Sequence, residues 1–251
     1  MKLEYRGPRI TAWCGVFLAL MLATLASVSE SQEPVSPHQL LDQFQNTPVF
    51  WEQFEIAQRI AALHNPSVLP QLASWLNHED RHQRGNAAFI FARLGDKRGF
   101  DVIRFILNDR SWRPEGQGTG VVVRLHDAPY SAEPQIAADR YYAAHLLGDL
   151  RDARAVPILV QLLGDKEVNY IVPWSLAEIG DKRAVAPLIR ALADKNPSMR
   201  VLAIYALEKL RAKNALPELH YLLNDNEKSN FGDLVTVAEA AKAAIAELEA
   251  H

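Results

Sequence analysis

Cysteine is nearly absent from this sequence, since Cys14 is the one cysteine among 251 residues. A single thiol excludes an internal disulfide framework, a zinc site built from several thiolates and an iron–sulfur cluster. An excess of positive charge is absent too, because 27 Lys and Arg stand against 30 Asp and Glu and the formal net charge is -3. With this balance of charges the protein has no overall positive potential that would attract a polyanion, so we do not expect nucleic-acid binding.

One long uncharged run, from Ile10 to Ser29, lies near the amino terminus. Three basic residues precede it: Lys2, Arg6 and Arg9. This order is typical of an export signal, and it predicts a signal peptide over residues 1–31. An uncleaved anchor is the alternative, because a run of this length just spans the hydrocarbon of a bilayer. The predicted location is therefore periplasmic or extracellular, with membrane attachment only if the run over residues 10–29 is retained.

Residues 32–49 contain Pro34, Pro37 and Pro48 among many polar side chains and show no helical periodicity. This composition predicts a polar, proline-containing tether. We therefore expect the folded part to occupy residues 50–251.

A repeat of about thirty residues dominates the remainder of the chain. Leu94-Gly95-Asp96-Lys97-Arg98 recurs as Ile179-Gly180-Asp181-Lys182-Arg183. The anchors of the successive units are Leu63, Leu94, Leu150, Ile179 and Leu210, and Leu248 anchors a displaced sixth unit. Successive anchors among the first five are 31, 56, 29 and 31 residues apart. The spacing of 56 residues becomes regular once an insertion at about 110–135 is removed.

Both segments of each unit have helical periodicity. Apolar residues occur seven, six and three positions before the anchor, as in Ala143, Ala144 and Leu147 before Leu150. The segment after the anchor repeats the pattern, with a proline such as Pro187 in its first turns, where a missing N–H is tolerated. Neither helix can bury its apolar stripe alone, so the units must stack into an all-α array.

These residues resemble the HEAT-like repeats, in particular the short class that is also found in phycobilin lyases. The densest match is Ile179 to Asp194, with the motif residues Gly180, Asp181, Arg183, Ala184, Val185 and Pro187. The resemblance covers Phe50 to Glu249 and implies a right-handed α-solenoid of about five to six helical hairpins with one irregular insertion.

The same resemblance gives the recurring Asp and Arg residues a structural role, because in that family they brace adjacent turns. It implies that Asp194 pairs with Arg200 and that Asp109 pairs with Arg140. The first unit departs from the family pattern, with His64 and Asn65 in place of Gly-Asp.

The segment His78-Glu79-Asp80-Arg81-His82 matches the H-E-x-x-H spacing of zinc metallopeptidases. On one helix, such imidazoles chelate zinc while the glutamate activates water. The repeat register instead puts His78 at a helix-ending turn and begins the next helix at Arg84. We therefore predict no metal site, and a metallopeptidase stays the weakest alternative.

An aromatic band recurs at the positions nine and five residues before each anchor. Residues four apart lie on the same helix face, which is next to the buried stripe and is predicted to line the inner surface of the superhelix. The band supplies six candidate partner-binding residues: Phe89, Tyr141, His145, Tyr170, Trp174 and Tyr205. The alternative is that these rings pack against the next unit, in which case Tyr141, Tyr170, Trp174 and Tyr205 would all be buried.

The insertion is rich in turn residues and contains Val121 to Leu125, which has strand propensity. We expect a loop or small hairpin that projects from the solenoid and adds Trp112 and Tyr130 to the binding surface. A poorly ordered linker is the alternative.

A catalytic residue set cannot be assembled from this sequence, because it has no nucleophile elbow and no phosphate-cradling glycine loop. We assign no catalytic residue, no metal and no cofactor. The predicted function is an exported scaffold that binds another protein through the solenoid groove and the insertion. The alternative is a repeat-based enzyme of bilin-lyase type that uses the same groove; the partner and the oligomeric state stay open.

Overall fold

Most of the described residues lie in short helices, many of which begin at a capping side chain or a proline. The protein was analysed as a computed structural model that describes residues 35–111, 134–230 and 235–250. Within those ranges, the α-helices are α1 (Pro37–Asn46), α2 (Phe50–Ala62), α3 (Leu69–Leu72), α4 (Arg81–Arg93), α5 (Lys97–Asn108), α6 (Pro134–Leu150), α7 (Val156–Gln161), α8 (Val172–Ile179), α9 (Val185–Ala191), α10 (Pro197–Lys209), α11 (Leu216–Tyr221) and α12 (Val237–Ala250). The same ranges contain no β-strand, and their β-pairing is one isolated bridge between Lys228 and Thr236.

The helices alternate between two layers. The first layer consists of α2, α4, α6, α8, α10 and α12, each of which packs against the next. The second layer consists of α3, α5, α7, α9 and α11, which pack across the first; α5, for example, contacts both α4 and α6. The chain therefore has the all-α solenoid architecture of stacked helical hairpins that the repeat predicts.

The apolar stripe of each first-layer helix is buried between the layers, as the periodicity predicts. Ala143, Ala144 and Leu147 of α6 have no exposed surface. The equivalent residues of α10, Ala203 and Ile204 among them, are equally buried. Because burying one large aliphatic side chain contributes about 1.5–3 kcal/mol, this stripe is the main source of cohesion between the units.

The residue after each of the first five anchors adopts the left-handed backbone conformation. The φ angles are 51° at His64, 88° at Gly95, 54° at Arg151, 74° at Gly180 and 52° at Arg211. A left-handed residue ends a helix, and it costs residues other than glycine about 1–2 kcal/mol. Five units therefore share one turn geometry, even where the glycine of the motif is missing.

The aspartate that follows this turn caps the next helix. Asp181 Oδ1 accepts the backbone N–H of Arg183 at 2.8 Å, and its carboxylate also binds the Arg183 guanidinium at 2.7 Å. Asp96 and Asp152 bind Arg98 and Arg154 in the same way. The side-chain hydrogen bond from Arg183 lowers the pKa of Asp181 below its ordinary value. The Gly-Asp-x-Arg motif is thus a helix start, and it explains the architecture rather than an activity.

The arginine ten residues before an anchor braces two units, although not through the expected pairs. Arg140 donates from Nε to the Leu107 carbonyl oxygen of the preceding unit at 2.8 Å. Its guanidinium pairs with Asp165, 2.6 Å away, whereas Asp109 pairs with Arg81 at 2.7 Å. The expected pair of Asp109 with Arg140 is therefore wrong, because this guanidinium extends to the turn that closes its own unit.

The second expected pair is corrected in the same way. Arg200 reaches Asp194 only through the backbone carbonyl oxygen, at 2.8 Å, and its guanidinium pairs with the Asp225 carboxylate at 2.9 Å. In both units the arginine bonds a backbone carbonyl on one side and a carboxylate on the other.

The tether prediction for residues 32–49 was wrong for residues 37–46, which form helix α1. Ser36 and Gln39 cap one another's backbone N–H groups, and Pro37 occupies the first turn. Three apolar residues on one face are buried: Leu40, Leu41 and Phe44. Gln53 donates to the Phe44 carbonyl oxygen at 3.0 Å, as Arg140 does to Leu107. Helix α1 therefore acts as the second helix of a preceding half-unit, and the compact unit begins at Ser36.

Two predicted segments lie outside the described residues: the signal peptide or anchor over residues 1–31 and most of the insertion at about 110–135. Among the helices that the structure describes, none combines the length and the apolar character needed to cross a bilayer.

Candidate functional site

A ladder of aromatic and imidazole rings crosses four consecutive helices of the first layer. Helix α2 contributes Phe50 and Phe54, α4 His82 and Phe89, α6 Tyr142 and His145, and α8 Trp174. The ring centroids lie 4.3 Å apart for Phe50 and His82, 5.0 Å for His82 and Tyr142, 6.2 Å for Tyr142 and His145, and 4.5 Å for His145 and Trp174. The ladder holds the helices in register by ring packing.

The His145–Trp174 pair lies at one end of this ladder. The two rings stack with an interplanar angle of 19°, and both side chains are partly exposed. The Nδ1 atom of His145 lies 3.1 Å from Oδ2 of Asp149, one helical turn further along α6. The imidazole is thus packed against the indole of Trp174, and the Asp149 carboxylate lies close to its Nδ1 atom.

A polar network lies beside the other end of the ladder, and its Asn86 and Gln53 side chains are buried. Tyr142 donates its hydroxyl to Asn86 Oδ1 at 2.5 Å, and Asn86 donates to Gln53 Oε1 at 2.9 Å. Burial raises the pKa of Tyr142 well above its ordinary value, and the charges of Asp149 and Asp80 add to the effect. Tyr142 therefore stays a neutral, structural hydroxyl.

Gly85 explains how Tyr142 of α6 reaches α2 across α4. A Cβ at this glycine would lie 2.8 Å from Leu146 Cδ1 and 3.8 Å from the Tyr142 ring. Its absence lets α6 approach α4 closely, so that the centroids of Tyr142 and Phe50 come within 4.9 Å. Tyr142 and Phe50 are not among the residues predicted from the sequence, although Tyr142 stands three residues before His145 and so shares its helix face.

Four rings of the predicted band keep part of their surface exposed: Tyr141, Tyr170, Trp174 and Tyr205. Burial raises the pKa of Tyr141, and burial together with Glu208 and Glu239 raises that of Tyr205. The Tyr170 hydroxyl accepts a hydrogen bond from Asn196 Nδ2 at 2.6 Å. These rings are therefore partly covered by the protein without being sealed into the core.

The remaining members of the predicted site are placed differently. Phe89 is 4% exposed and packs edge-on against Phe54 at 5.0 Å, so it belongs to the core and we leave it out of the candidate surface. Trp112 and Tyr130 lie outside the described residues.

Both stems of the insertion are held by one buried guanidinium, that of Arg81. It pairs with Asp109 at 2.7 Å and donates to the Ser111 carbonyl oxygen at 2.9 Å on one side. On the other side it pairs with Asp139 of α6, whose side chain is fully buried, at 3.1 Å. The described residues on the two sides of the insertion, Ser111 and Asp139, thus both contact Arg81, which precedes His82 at the start of α4.

The H-E-x-x-H segment straddles a helix start, as the repeat register predicts, although α4 begins at Arg81 rather than at Arg84. His78 Nδ1 accepts a hydrogen bond from the Asp80 backbone N–H at 3.1 Å. In another unit, the Asp165 carboxylate accepts the equivalent bond from the Glu167 backbone N–H. The His78 ring stacks on Trp75 and the His82 ring on Phe50, so the two imidazoles serve separate contacts. Among the described residues, no three His, Cys, Asp or Glu side chains are grouped to hold a metal ion.

A shallow groove of about 460 Å³ lies between α5 and the first turn of α4. Its lining includes Leu76, Arg84, Arg98, Asp101 and Phe105, and the Phe105 side chain is exposed. None of the predicted binding residues lines it, so this groove is separate from the candidate surface.

The architecture and the first-layer surface define an α-solenoid of helical-hairpin repeats. Residues 133–195 and 165–232 match the family model described as HEAT repeats. The chain therefore carries HEAT repeats over this part, as its Gly-Asp-x-Arg motifs predict.

Similarity to individual proteins is more limited. The bilin biosynthesis protein PecE of Mastigocladus laminosus is 36% identical over 93 residues, which make up 36% of this chain and 35% of that protein. The chain thus spans about a third of the length of this curated relative. A designed armadillo repeat protein in complex with the peptide (KR)4 has a TM-score of 0.42 and 16% identity over 85% of this chain and all of that chain. A second engineered protein has the same TM-score and identity over 86% of this chain and 98% of its own.

Proposed function

We propose that this chain is an exported scaffold that binds another protein through one face of the first layer. The first-layer face is defined by Tyr141, His145, Tyr170, Trp174 and Tyr205. The observation that carries the proposal is the stacked, partly exposed pair of His145 and Trp174 on adjacent helices.

Physical arguments favour protein binding by this face. Its rings are locked by neighbours, so a partner that contacts them pays little additional side-chain entropy. Tyrosine and tryptophan combine a large apolar area with a polar edge, which suits an interface that is exposed to water before binding. The Asn196 hydrogen bond to Tyr170 and the Asp149 contact with His145 preorganise two members of the face.

The insertion and the export signal complete the proposal. The Arg81 contacts hold the ends of the insertion beside the ladder, which supports a role for Trp112 and Tyr130 in the same partner contact. The charge order at residues 1–31 supports export to the periplasm or the extracellular space.

A second candidate function is handling of a bilin, and the similarity to PecE favours it. That protein is named for bilin biosynthesis, and a ring-lined face also suits a planar tetrapyrrole. Titration with a linear tetrapyrrole tests this candidate. A shift of the bilin absorption bands that is lost in Trp174→Ala would support it, whereas unchanged bands would reject it.

The scaffold proposal is tested by capture of partners from the exported fraction on immobilised protein. Trp174→Ala should lose the captured protein, because the indole is a large, partly exposed ring of the first-layer face, and His145→Ala should weaken capture. Tyr221→Ala is the matched control, since Tyr221 is 85% exposed on helix α11 of the second layer. Circular dichroism should show unchanged helicity in all three variants. Equal capture by Trp174→Ala and the wild type would contradict the proposal.

A further inference from the structure

We propose that the turns between the two helices of successive units form a basic edge, which binds an acidic segment of another protein. The basic edge consists of residues 94–98, 150–154, 179–183 and 210–214, and each of these turns starts at an anchor. The four turns contain eight Lys and Arg residues against three Asp, although the whole chain has a net charge of -3. The inference goes beyond the proposed function, because no residue of the first-layer face belongs to the basic edge.

Contacts between units make the first three turns of the basic edge continuous. The Arg154 guanidinium lies 4.5 Å from the centroid of the Phe100 ring, in the first turn of the helix that follows residues 94–98. The Nη2 atom of Arg183 donates to the Ala153 carbonyl oxygen of the preceding turn at 2.9 Å. Each turn is therefore packed beside the next one.

Glu178 extends this row of contacts to the last turn. Its carboxylate pairs with Arg151 of one turn at 3.1 Å and with Lys209, which directly precedes residues 210–214. Glu178 offsets part of the positive charge, but it does not cancel the excess. The two positions before the four anchors add two cations and three acids: Arg93, Lys209, Asp149, Glu178 and Glu208.

Four cations of the basic edge are not neutralised by a carboxylate. They are exposed, and none forms an ion pair with a residue that the structure describes: Lys97, Lys182, Arg211 and Lys213. Three of them, Lys97, Lys182 and Lys213, stand at the same position of the repeat, three residues after the anchor. Because an excess of one charge opposes folding by self-repulsion, this row does not serve the stability of the fold. An anionic ligand would relieve the repulsion.

The three arginines that end the first three turns are oriented before any ligand binds. Arg98, Arg154 and Arg183 each bind the aspartate two residues earlier through Nε and Nη2. Their side chains are more than half exposed, and in the described part of the chain their Nη1 atoms have no acceptor. A guanidinium fixed in this way loses little side-chain entropy when Nη1 binds a second carboxylate.

An extended acidic segment fits the basic edge by length. Packed helices lie about 8–10 Å apart, and an extended chain advances about 3.3 Å per residue, so about three residues span one unit. A segment of about ten residues therefore reaches all four turns.

Two other anionic ligands fit the basic edge less well. A membrane surface is disfavoured, because the large apolar side chains that are exposed on the described residues all lie outside these turns and cannot anchor them in a bilayer. A nucleic acid is disfavoured, because the chain outside the basic edge is acidic and would repel a long polyanion. The occupant is therefore a short acidic segment of a protein.

Fluorescence anisotropy tests the basic edge. The probe is a fluorescein-labelled peptide of about ten residues in which glutamate alternates with serine, a length set by the rise of an extended chain. The full chain is titrated into it at low ionic strength. The triple variant Lys97→Gln/Lys182→Gln/Lys213→Gln should bind the probe at least about fivefold more weakly, because three attractive charges are lost. High salt should remove most of this difference.

A second triple variant is the matched control. Lys166→Gln/Lys195→Gln/Lys242→Gln removes the same charge from exposed lysines outside the basic edge. Its affinity for the probe should stay within about twofold of that of the wild type. A probe with glutamine in place of glutamate should not bind. Both triple variants should keep the Tm of the wild type, since the substituted lysines form no ion pair with a described residue.

Several outcomes would overturn the basic edge. They are equal affinity of the wild type and the first triple variant, equal weakening in both triple variants, binding of the glutamine probe, and no binding of the acidic probe at millimolar protein. Vesicles that contain phosphatidylglycerol and a single-stranded oligonucleotide are tested in parallel. Tighter binding of either than of the acidic probe, if it is lost in the first triple variant, would also reject the acidic segment as the occupant. None of these results changes the test of the scaffold proposal, which depends on Trp174.

Discussion

The guanidinium of Arg140 lies 2.6 Å from the carboxylate of Asp165, and this ion pair links the first part of α6 to the turn that follows α7. The same side chain donates to the Leu107 carbonyl oxygen at the end of α5. One arginine therefore joins a helical hairpin to its predecessor and closes its own turn. The stacking of units thus depends on buried polar contacts as well as on the apolar stripe.

The Arg140–Asp165 pair predicts a pH dependence of stability. Partial burial raises the pKa of Asp165, but the hydrogen bonds from Arg140 and the Glu167 N–H and the charges of Arg140 and Arg110 outweigh it, so the pKa lies below its ordinary value. A lowered folded-state pKa stabilises the fold above the unfolded-state pKa of about 3.9, and this contribution is lost as the pH falls through the folded-state pKa.

We therefore expect Asp165→Asn to lose less stability on acidification than the wild type. Urea unfolding between about pH 6 and about pH 3 measures the difference. Asp101→Asn, a change of an exposed carboxylate on α5, should retain the wild-type pH profile. If the free energy of unfolding of Asp165→Asn and of the wild type changed in parallel with pH, the Arg140–Asp165 pair would contribute nothing to the pH dependence of stability.

Replacement of Arg81 should destabilise the fold strongly. Arg81→Met leaves the fully buried carboxylate of Asp139 without its guanidinium, and breaking a buried ion pair in this way costs about 3–5 kcal/mol. The control is Arg104→Gln, because the ion pair of Arg104 with Asp101 is exposed. We expect no measurable change in the free energy of unfolding of this variant. Urea denaturation monitored by circular dichroism compares the two; a free energy of unfolding equal to that of the wild type in Arg81→Met would refute this role.

A methyl group at Gly148 should separate α6 from α8. Its Cβ would lie 2.7 Å from the Cα atom of Ser175, which is backbone and cannot move aside alone. We expect Gly148→Ala to cost about 1–3 kcal/mol, more than the gain of about 1 kcal/mol from a better helix former. Gly164→Ala, where nothing lies within 4 Å of the added Cβ, is the control. A Tm for Gly148→Ala at or above that of the wild type would mean that the helices are not in close contact here.

Helix α1 should contribute to stability as a half-unit of the solenoid. Phe44 is completely buried, and its ring centroid lies 5.2 Å from that of Trp75. We expect Phe44→Ala to lower the free energy of unfolding by about 3–5 kcal/mol, and the exposed change Gln43→Ala to leave it nearly unchanged. Equal stability of the two variants would instead restore the tether interpretation.

Part of the first-layer face could be predicted from the sequence, because residues four apart on a helix share a face wherever the helix packs. That rule finds Tyr141 with His145 and Tyr170 with Trp174. It does not find Tyr142, whose reach to Phe50 depends on the missing side chain at Gly85 of another helix. It also cannot separate Phe89, which a neighbouring ring covers, from Trp174, which is partly exposed.

The sequence by itself determined the repeat register and the two helices of each unit. These follow from local interactions: an aspartate that caps the next N–H, a left-handed residue after each of the first five anchors, and an apolar stripe with a period of 3.6. Only the tertiary structure decided which carboxylate Arg140 and Arg200 reach, and that Leu40, Leu41 and Phe44 make α1 part of the solenoid. Those outcomes depend on distances between helices that are far apart in the chain, and local preferences do not encode such distances.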